Sequence, residues 1–358
     1  MGAETPAGRA PWYTIRMSAT FVATTSPAYV RQALSELRAI DPGLRALGAL
    51  APGVIRFACS PQTEREGFLA RLRSEEPIFV RHLHPIDRDV ALVGGELDQA
   101  TLLAAAAELF GTIEPGERIA VHVRLFREEG PGPDRGQVRE QLAELVRRSG
   151  GEPVVQNPAR ILSVTADEAV AALGLAAPAE NLSDWPGGEM RFRREDEQVS
   201  RAAFKLLEAL ERFGLEVGPG QEALDLGAAP GGWSHVLLQR GLAVTAVDTG
   251  ELAPSVLTHP RLTFLRQNAE TVQFEPQRFD LLTCDLSWNP LNTARMVLRL
   301  APSARPGAHL ILTVKLMLAN PTRTIRQVSE ILSEGFRLVQ TKQLFHNRDE
   351  VTMHLIRK

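Results

Sequence analysis

The spacing of apolar positions changes character along the chain, and the changes divide it. Residues 12–22 (YTIRMSATFVA) alternate loosely, as a half-buried strand does, and AYVRQALSELRAI after Ser26-Pro27 has helical spacing behind a helix-start signal. VIRFAC (54–59) then reads as strand, TEREGFLARLRSE (63–75) as helix and IFVRHL (78–83) as strand, which predicts a small α+β unit. A second unit follows. LDQATLLAAAAELF (97–110) predicts a helix, RIAVHVRLF (118–126) a strand, GQVREQLAELVRRS (136–149) a helix, and ARILSV (159–164) with AVAALGL (169–175) a strand pair. The Pro- and Gly-bearing run AAPAENLSDWPGGE (176–189) predicts a linker.

From Gln221 onward the pattern is a strict alternation of apolar runs and helical segments: EALDLG, a helix from about Gly232, LAVTAVD, LTFLRQN, FDLLTCD, a helix over 293–301, HLILTVK, a helix over 324–334, RLVQTKQLF and VTMHLI. Repeated βα units with continuous apolar strands indicate a mainly parallel, doubly wound sheet buried on both faces. The short connection HNRDE between the last two runs fits an antiparallel pair closing one edge. The expected fold class is α/β, a Rossmann-like doubly wound sheet at the C-terminal end preceded by α+β units. The expected boundaries are 1–90, 91–178, a linker over 179–198, and 199–358.

Composition supports packed cores: 358 residues are 44% hydrophobic and 23% charged. The opening lacks a basic segment followed by a sustained apolar one, and no later run reaches the roughly 18 apolar residues of a membrane span. A soluble, unexported, cytoplasmic chain without a membrane partner is therefore expected. A formal net charge of −3 excludes coating of nucleic acid by bulk electrostatics, so any RNA contact must be local. Cys59 and Cys284 stand far apart, outside any Cys/His cluster, which suggests neither a disulfide framework nor a metal site. The cations are skewed: Lys205, Lys315, Lys342 and Lys358 are the only lysines among 40 basic side chains.

ALDLGAAPGGW (223–233) is a strand running into a glycine-bearing turn and a helix start. Ligands of open α/β sheets sit there, outside the carboxyl ends of the strands. Gly227, Gly231 and Gly232 permit close backbone approach, and free N–H groups at the helix start can receive a carboxylate. The following strands end in polar residues as well. Asp248 is placed to accept from ribose hydroxyls, Asn268 from an adenine edge, and Asp285 to face the reaction centre.

The lysines suggest base chemistry. A ribose hydroxyl is a poor nucleophile at neutral pH, so its methylation needs a group that removes the proton as the methyl transfers in line. Lysine can do this once its charged form is disfavoured, whereas arginine stays protonated. Lys315 ends the strand HLILTVK at the carboxyl edge. Lys205, on the helix SRAAFKLLEAL just ahead of the fold, would supply a second cation that favours proton loss from its neighbour. Glu350 opens the final strand and could orient the Lys315 ammonium or a substrate hydroxyl; Asp349 and His346 read as turn residues.

In order along the chain, SRAAFKLLEAL, DLGAAPGGW, CDLSWNP, LTVKL and RDEVT resemble the FtsJ-type ribose 2′-O-methyltransferases with their Lys-Asp-Lys-Glu tetrad. The stretches WPGGEMRFRREDEQVSRAAFKLLEA and QLFHNRDEVTMHLIRK are more closely similar to the large-subunit ribosomal methyltransferase M family. EEPIFVRHL and the α/β order extend the likeness into the first half. The resemblance implies Lys205, Asp285, Lys315 and Glu350 as the tetrad, with Lys315 as base. It also implies S-adenosyl-L-methionine held by Ser200, Gly227, Ala229, Pro230, Gly231, Gly232, Trp233, Asp248, Asn268 and Asp285, and no metal. It implies an N-terminal ferredoxin-like unit, a THUMP-type RNA-binding domain, and methylation of a cytidine ribose of 23S rRNA; a monomer is expected, and rRNA before or after full subunit assembly stays open as the substrate. One departure stands out: the family's acid after the third strand is Asn268 here.

Other readings stay open. An exocyclic-amine methyltransferase would carry an (N/D)PP(Y/F) element where this chain has DLSWNP, and a C5-cytosine enzyme needs a nucleophilic cysteine, whereas Cys284 would face away from its neighbour Asp285. DLGAAPGG lacks the GxGxxG spacing of a dinucleotide dehydrogenase. Methylation of another RNA such as tRNA, and an RNA-binding assembly factor with an inactive methyltransferase fold, remain as alternatives.

Overall fold

Three sheets organise the computed structural model, which describes residues 18–95, 97–126, 134–192, 200–316 and 320–358. The first is built from β1 (Thr20–Thr24), α1 (Val30–Ile40), β2 (Arg45–Ala51), β3 (Val54–Ala58), α2 (Arg65–Glu75) and β4 (His82–Pro85). Its strand order is β2-β3-β1-β4, all antiparallel. Phe21, Phe57 and Phe68 fill the space between sheet and helices with ring centroids 5.0 to 5.7 Å apart. The expected strand over 12–22 lies partly outside the described residues and is seen only from Thr20. The expected strand over 78–83 is displaced to His82–Pro85. The reason is local: the Glu36 carboxylate accepts from the backbone N–H groups of Ile78 (2.8 Å) and Phe79 (2.9 Å), so that stretch is tied to a side chain rather than to a ladder.

The second sheet contains β5 (Arg88–Ala91), α3 (Leu97–Leu109), β6 (Arg118–Leu125), α4 (Arg135–Arg148), β7 (Glu152–Val154), β8 (Arg160–Ala166) and β9 (Val170–Ala176), in the order β5-β9-β8-β6-β7. Sequence patterning misses β2, β5 and β7. All three are edge strands with few buried side chains, so no apolar alternation announces them.

Beyond it come α5 (Ala202–Arg212), β10 (Glu222–Leu226), α6 (Gly232–Gln239), β11 (Ala243–Asp248), α7 (Pro254–Leu257), β12 (Leu262–Arg266), β13 (Phe279–Cys284), α8 (Pro290–Leu300), β14 (Ala304–Lys315), α9 (Pro321–Leu332), β15 (Phe336–Lys342) and β16 (Glu350–Arg357). The seven strands are ordered β12-β11-β10-β13-β14-β16-β15. Pairing is parallel from β12 to β14, and β16 inserts antiparallel between β14 and β15. Alternate strand residues serve opposite layers. Ala223, Leu281 and Ile311 pack with α5 and α6, while Leu224, Leu282 and Leu310 pack with α8 and α9. The strand order reverses between β10 and β13, and this switch point opens a crevice at their carboxyl ends.

The first sheet is bolted to the third. Arg81 donates to the Gln343 side-chain oxygen at 2.6 Å and to the backbone oxygens of Gln343 and Asn347, and its guanidinium lies 5.7 Å from the centre of the Phe345 ring. Gln343 N–H donates to Ile78 O at 2.9 Å, and the Lys342 ammonium donates to Pro77 O. The described part of the segment expected as a linker is packed. Asn181 is fully buried, and Leu182 O accepts from Arg212 at 2.6 Å.

Candidate active site

The crevice is lined from four directions. The loop after β10 supplies Gly227 to Gly232, the end of β13 supplies Asp285, the end of β14 supplies Lys315, and α5 crosses over the edge with Lys205. Because β16 runs back against β14, Glu350 at its first position is paired with Lys315 in register. This brings together four side chains that span residues 205 to 350.

Their contacts form a continuous chain of charges, Lys315–Glu350–Lys205–Asp285. Lys315 Nζ donates to Glu350 Oε2 at 2.6 Å, and Lys205 Nζ lies 2.7 Å from Glu350 Oε1 and 3.2 Å from Asp285 Oδ2. Thr313 Oγ1 donates to Asp285 Oδ1 at 2.7 Å and fixes that carboxylate. All four side chains are 16% exposed or less. Burial works against the Lys205 charge, yet the Asp285 and Glu350 carboxylates outweigh it and raise its pKa. Burial likewise works against the Glu350 charge, but hydrogen bonds from Lys205 and Lys315 hold its pKa below the ordinary value. Two ammonium groups thus share one carboxylate, one on each oxygen.

The glycine loop has the shape of a cradle. Gly227 takes φ 77° and Gly231 φ 111°, conformations that L side chains avoid, and a Cβ at Gly227 would come within 2.7 Å of Leu286. A Cβ at Gly232 would stand 2.2 Å from Ser200 Oγ. Asp248 braces the loop, its Oδ2 accepting from Ala229 N–H at 2.9 Å and its Oδ1 from Gly250 N–H at 2.7 Å. Pro230 O accepts from Ala253 N–H at 2.9 Å. Behind the loop, the buried Asp225 accepts from Ser234 Oγ (2.6 Å) and Thr283 Oγ1 (2.9 Å), and burial pushes its carboxyl up to about 6.

Ser200, Gly227, Ala229, Pro230, Gly231 and Gly232 lie together beside the crevice, and Asp248 at the end of β11 braces them through the Ala229 N–H. The Trp233 ring is not available there: it is 3% exposed in the core, and its Nε1–H donates to Ala202 O at 2.8 Å, pinning α5 to α6. Asn268 lies two residues past β12, exposed, with its Oδ1 accepting from Glu270 N–H at 2.9 Å in a local turn. The Cys284 thiol is fully buried and its pKa is pushed up to about 12 by burial, which removes it as a nucleophile.

Sequence reasoning missed two supports. Glu208, one turn beyond Lys205 on α5, is buried and accepts from Phe345 N–H, His346 N–H and His346 Nδ1 at 2.7 to 2.9 Å. Arg81 ties down the same connection from the first sheet. Both act on the stretch leading to Glu350, and both lie too far from it along the chain for spacing to reveal them. A buried acid on the apolar face of α5 was the one available signal. His346, read as a turn residue, is thus anchored as well as turned.

Two observations bear on a nucleoside cofactor. Ser200 Oγ is buried beside the glycine loop without a hydrogen-bond partner among the described residues, and the N-terminus of α6 opens at Gly232 on that loop. Both suit a ligand with carboxylate and hydroxyl groups. Among the described residues no group of three or more His, Cys, Asp or Glu side chains could hold a metal, and no helix is long and apolar enough to cross a membrane.

Comparison with known proteins agrees with this geometry. Residues 198–337 match the FtsJ-like methyltransferase family. A ribosomal RNA large subunit methyltransferase M from Thauera aminoaromatica is 30% identical over 303 residues, covering 79% of each chain. That of Laribacter hongkongensis is 28% identical over 374 residues, covering 95% of this chain and 98% of its own. With the enzyme of the same name from Halorhodospira halophila the identity is 36% over 174 residues, and there the match spans 50% of the relative's length.

The sheet order, the glycine cradle and the FtsJ-like match define an S-adenosylmethionine-dependent methyltransferase. With a relative 30% identical across 79% of its own length, the class narrows further. The chain belongs to the ribosomal RNA large subunit methyltransferase M family.

Proposed function

We propose that this protein transfers a methyl group from S-adenosyl-L-methionine to a ribose 2′-hydroxyl of 23S rRNA, at a cytidine, with Lys315 as general base. The observation that carries the reading is the convergence of Lys205, Asp285, Lys315 and Glu350 beside the glycine cradle. When bound, S-adenosyl-L-methionine supplies an electrophilic methyl on a sulfonium. Ser200, the 227–232 loop, Asp248 and Asn268 would hold it, with Asp285 as the tetrad member that also faces it.

Lys315 Nζ takes the 2′-hydroxyl proton as the oxygen attacks in line. Lys205, flanked by Asp285 and Glu350, keeps its charge beside the reacting amine. Glu350 holds both amines at fixed separation, and Thr313 holds Asp285. Positive charge from Lys205 also faces the substrate oxygen and favours its anionic form.

Residues 1–90 and 91–178 are assigned as a ferredoxin-like unit and a THUMP-type RNA-binding domain that deliver the RNA, with 179–198 between them and the catalytic domain at 199–358. The protein is assigned as a cytoplasmic monomer acting on rRNA before the subunit is fully assembled. Mass-spectrometric mapping of ribose methylation in rRNA and tRNA from cells lacking the gene tests the substrate. Loss of one 23S cytidine mark is expected; a mark lost from tRNA with rRNA unchanged would overturn it.

A further inference from the structure

The carboxyl edge that carries the tetrad also carries a group of aromatic rings that catalysis leaves unused. Phe204 immediately precedes Lys205 on α5, and His346 lies four residues before Glu350 in the 343–349 connection. Their ring centroids are 5.3 Å apart with planes inclined by 28°. Phe192 joins them, 6.1 Å from Phe204 at 15° and 5.9 Å from His346. Phe345 meets His346 edge-on at 5.2 Å. All four side chains are part-exposed, unlike the phenylalanines that fill the first sheet's core.

The His346 ring is held with unusual investment. The Glu208 side chain, 4% exposed, directs both carboxylate oxygens at this one spot, accepting from Phe345 N–H, His346 N–H and His346 Nδ1. Because a carboxylate only accepts, Nδ1 carries the hydrogen, and the ring orientation is fixed from behind. Arg81 packs over Phe345 from the opposite side. A ring 20% exposed and fixed by a buried charge is preorganised for contact with something outside the chain.

The proposed reaction makes a matching demand. A ribose hydroxyl can reach Lys315 at the floor of the crevice only if its nucleotide leaves the RNA stack, and the unstacked base then loses its neighbours. Aromatic side chains replace them in single-stranded RNA recognition. We propose that His346, with Phe204 and Phe192, forms a stacking site for a nucleobase of the RNA next to the tetrad. The assignment rests on the ribose-methylation reading above. It makes His346 a binding residue that sets where the base lies while the chemistry stays with Lys315.

The test measures methyl transfer to a protein-free 23S rRNA transcript by wild type, His346→Ala, His346→Phe and Phe204→Ala, with cofactor affinity read by calorimetry. Loss of one stacked base is expected to raise the KM for RNA about tenfold in His346→Ala and in Phe204→Ala. Their kcat should stay within about threefold of wild type, and cofactor affinity should be preserved. His346→Phe, which keeps a ring but no ring nitrogen, should recover most of the lost RNA affinity. In a transcript carrying 5-iodocytidine, the photocrosslink should fall on the peptides containing His346 or Phe204. An unchanged KM in His346→Ala, or His346→Phe as impaired as the alanine variant, would overturn the stacking site while leaving the methylation reading intact. Wild-type enzyme that methylates no ribose would overturn the methylation reading, and the stacking site with it.

Discussion

Lys205 and Lys342 are both buried lysines near the sheet edge, and their surroundings treat the charge in opposite ways. Lys205 sits between Asp285 and Glu350, and its pKa is raised despite its burial. Lys342 is 4% exposed at the junction with the first sheet, donates to a backbone carbonyl, and is pushed down to about 7 by burial and by the Arg212 charge. A cation kept for chemistry is surrounded by carboxylates that fix its state. A cation placed at a joint is left to bear the desolvation cost.

The comparison can be broken most forcefully at the tetrad. Replacing Lys315 with alanine should cost about a thousandfold in methyl transfer, within the range of a general base, while calorimetry finds cofactor affinity preserved. Glu350→Gln removes the carboxylate that two ammonium groups share. Transfer should fall by about a hundredfold and stability by about 3 kcal/mol in urea unfolding, because buried charges lose their partner. An unchanged unfolding midpoint would show that the network is not coupled to the fold.

The joint should respond to pH instead. The folded-state pKa of Lys342, about 7, lies below the unfolded value of 10.5, so the unfolded chain binds more protons between those limits. This group therefore makes stability rise with pH across that window, by on the order of 1 kcal/mol per pH unit, and contributes its full cost below pH 7. Lys342→Met should flatten that rise and gain stability at pH 6. The tetrad groups stabilise the fold where Lys342 costs it stability. The contribution of Glu350 is lost as pH falls below its ordinary 4.5, and that of Lys205 as pH rises above its ordinary 10.5, so neither alters stability near neutrality. The smallest expected effect is at the cradle: Ser200→Ala, which removes the unpartnered hydroxyl, should loosen cofactor binding about threefold to tenfold by calorimetry, in line with one hydrogen bond of about 1 kcal/mol.

What could be read beforehand follows the same division. The third sheet is buried on both faces, so its strands show as continuous apolar runs, and its edge residues can be placed by counting. Lys205 and Lys315 stood out because arginine is the default cation of this chain. The starts of α8 and α9 were legible but were placed three residues late. Asn289 and Asn320 accept from the first-turn N–H groups, with Pro290 and Pro321 opening the helices, a capping signal stronger than the apolar periodicity that begins later. The ties made by Glu36 and Arg81 were not legible. Each links polar atoms distant in sequence, and nothing in local spacing records such a contact.

The central claim is that the tetrad acts on a ribose oxygen. Wild-type enzyme should be given S-adenosylmethionine labelled in its methyl group and a protein-free 23S rRNA transcript, and the product hydrolysed in alkali. A methylated 2′-oxygen blocks cleavage of the adjoining phosphodiester, so the label is predicted in alkali-resistant dinucleotides and absent when Lys315→Ala replaces wild type. Label released in mononucleotides would place the methyl on a base and contradict the account.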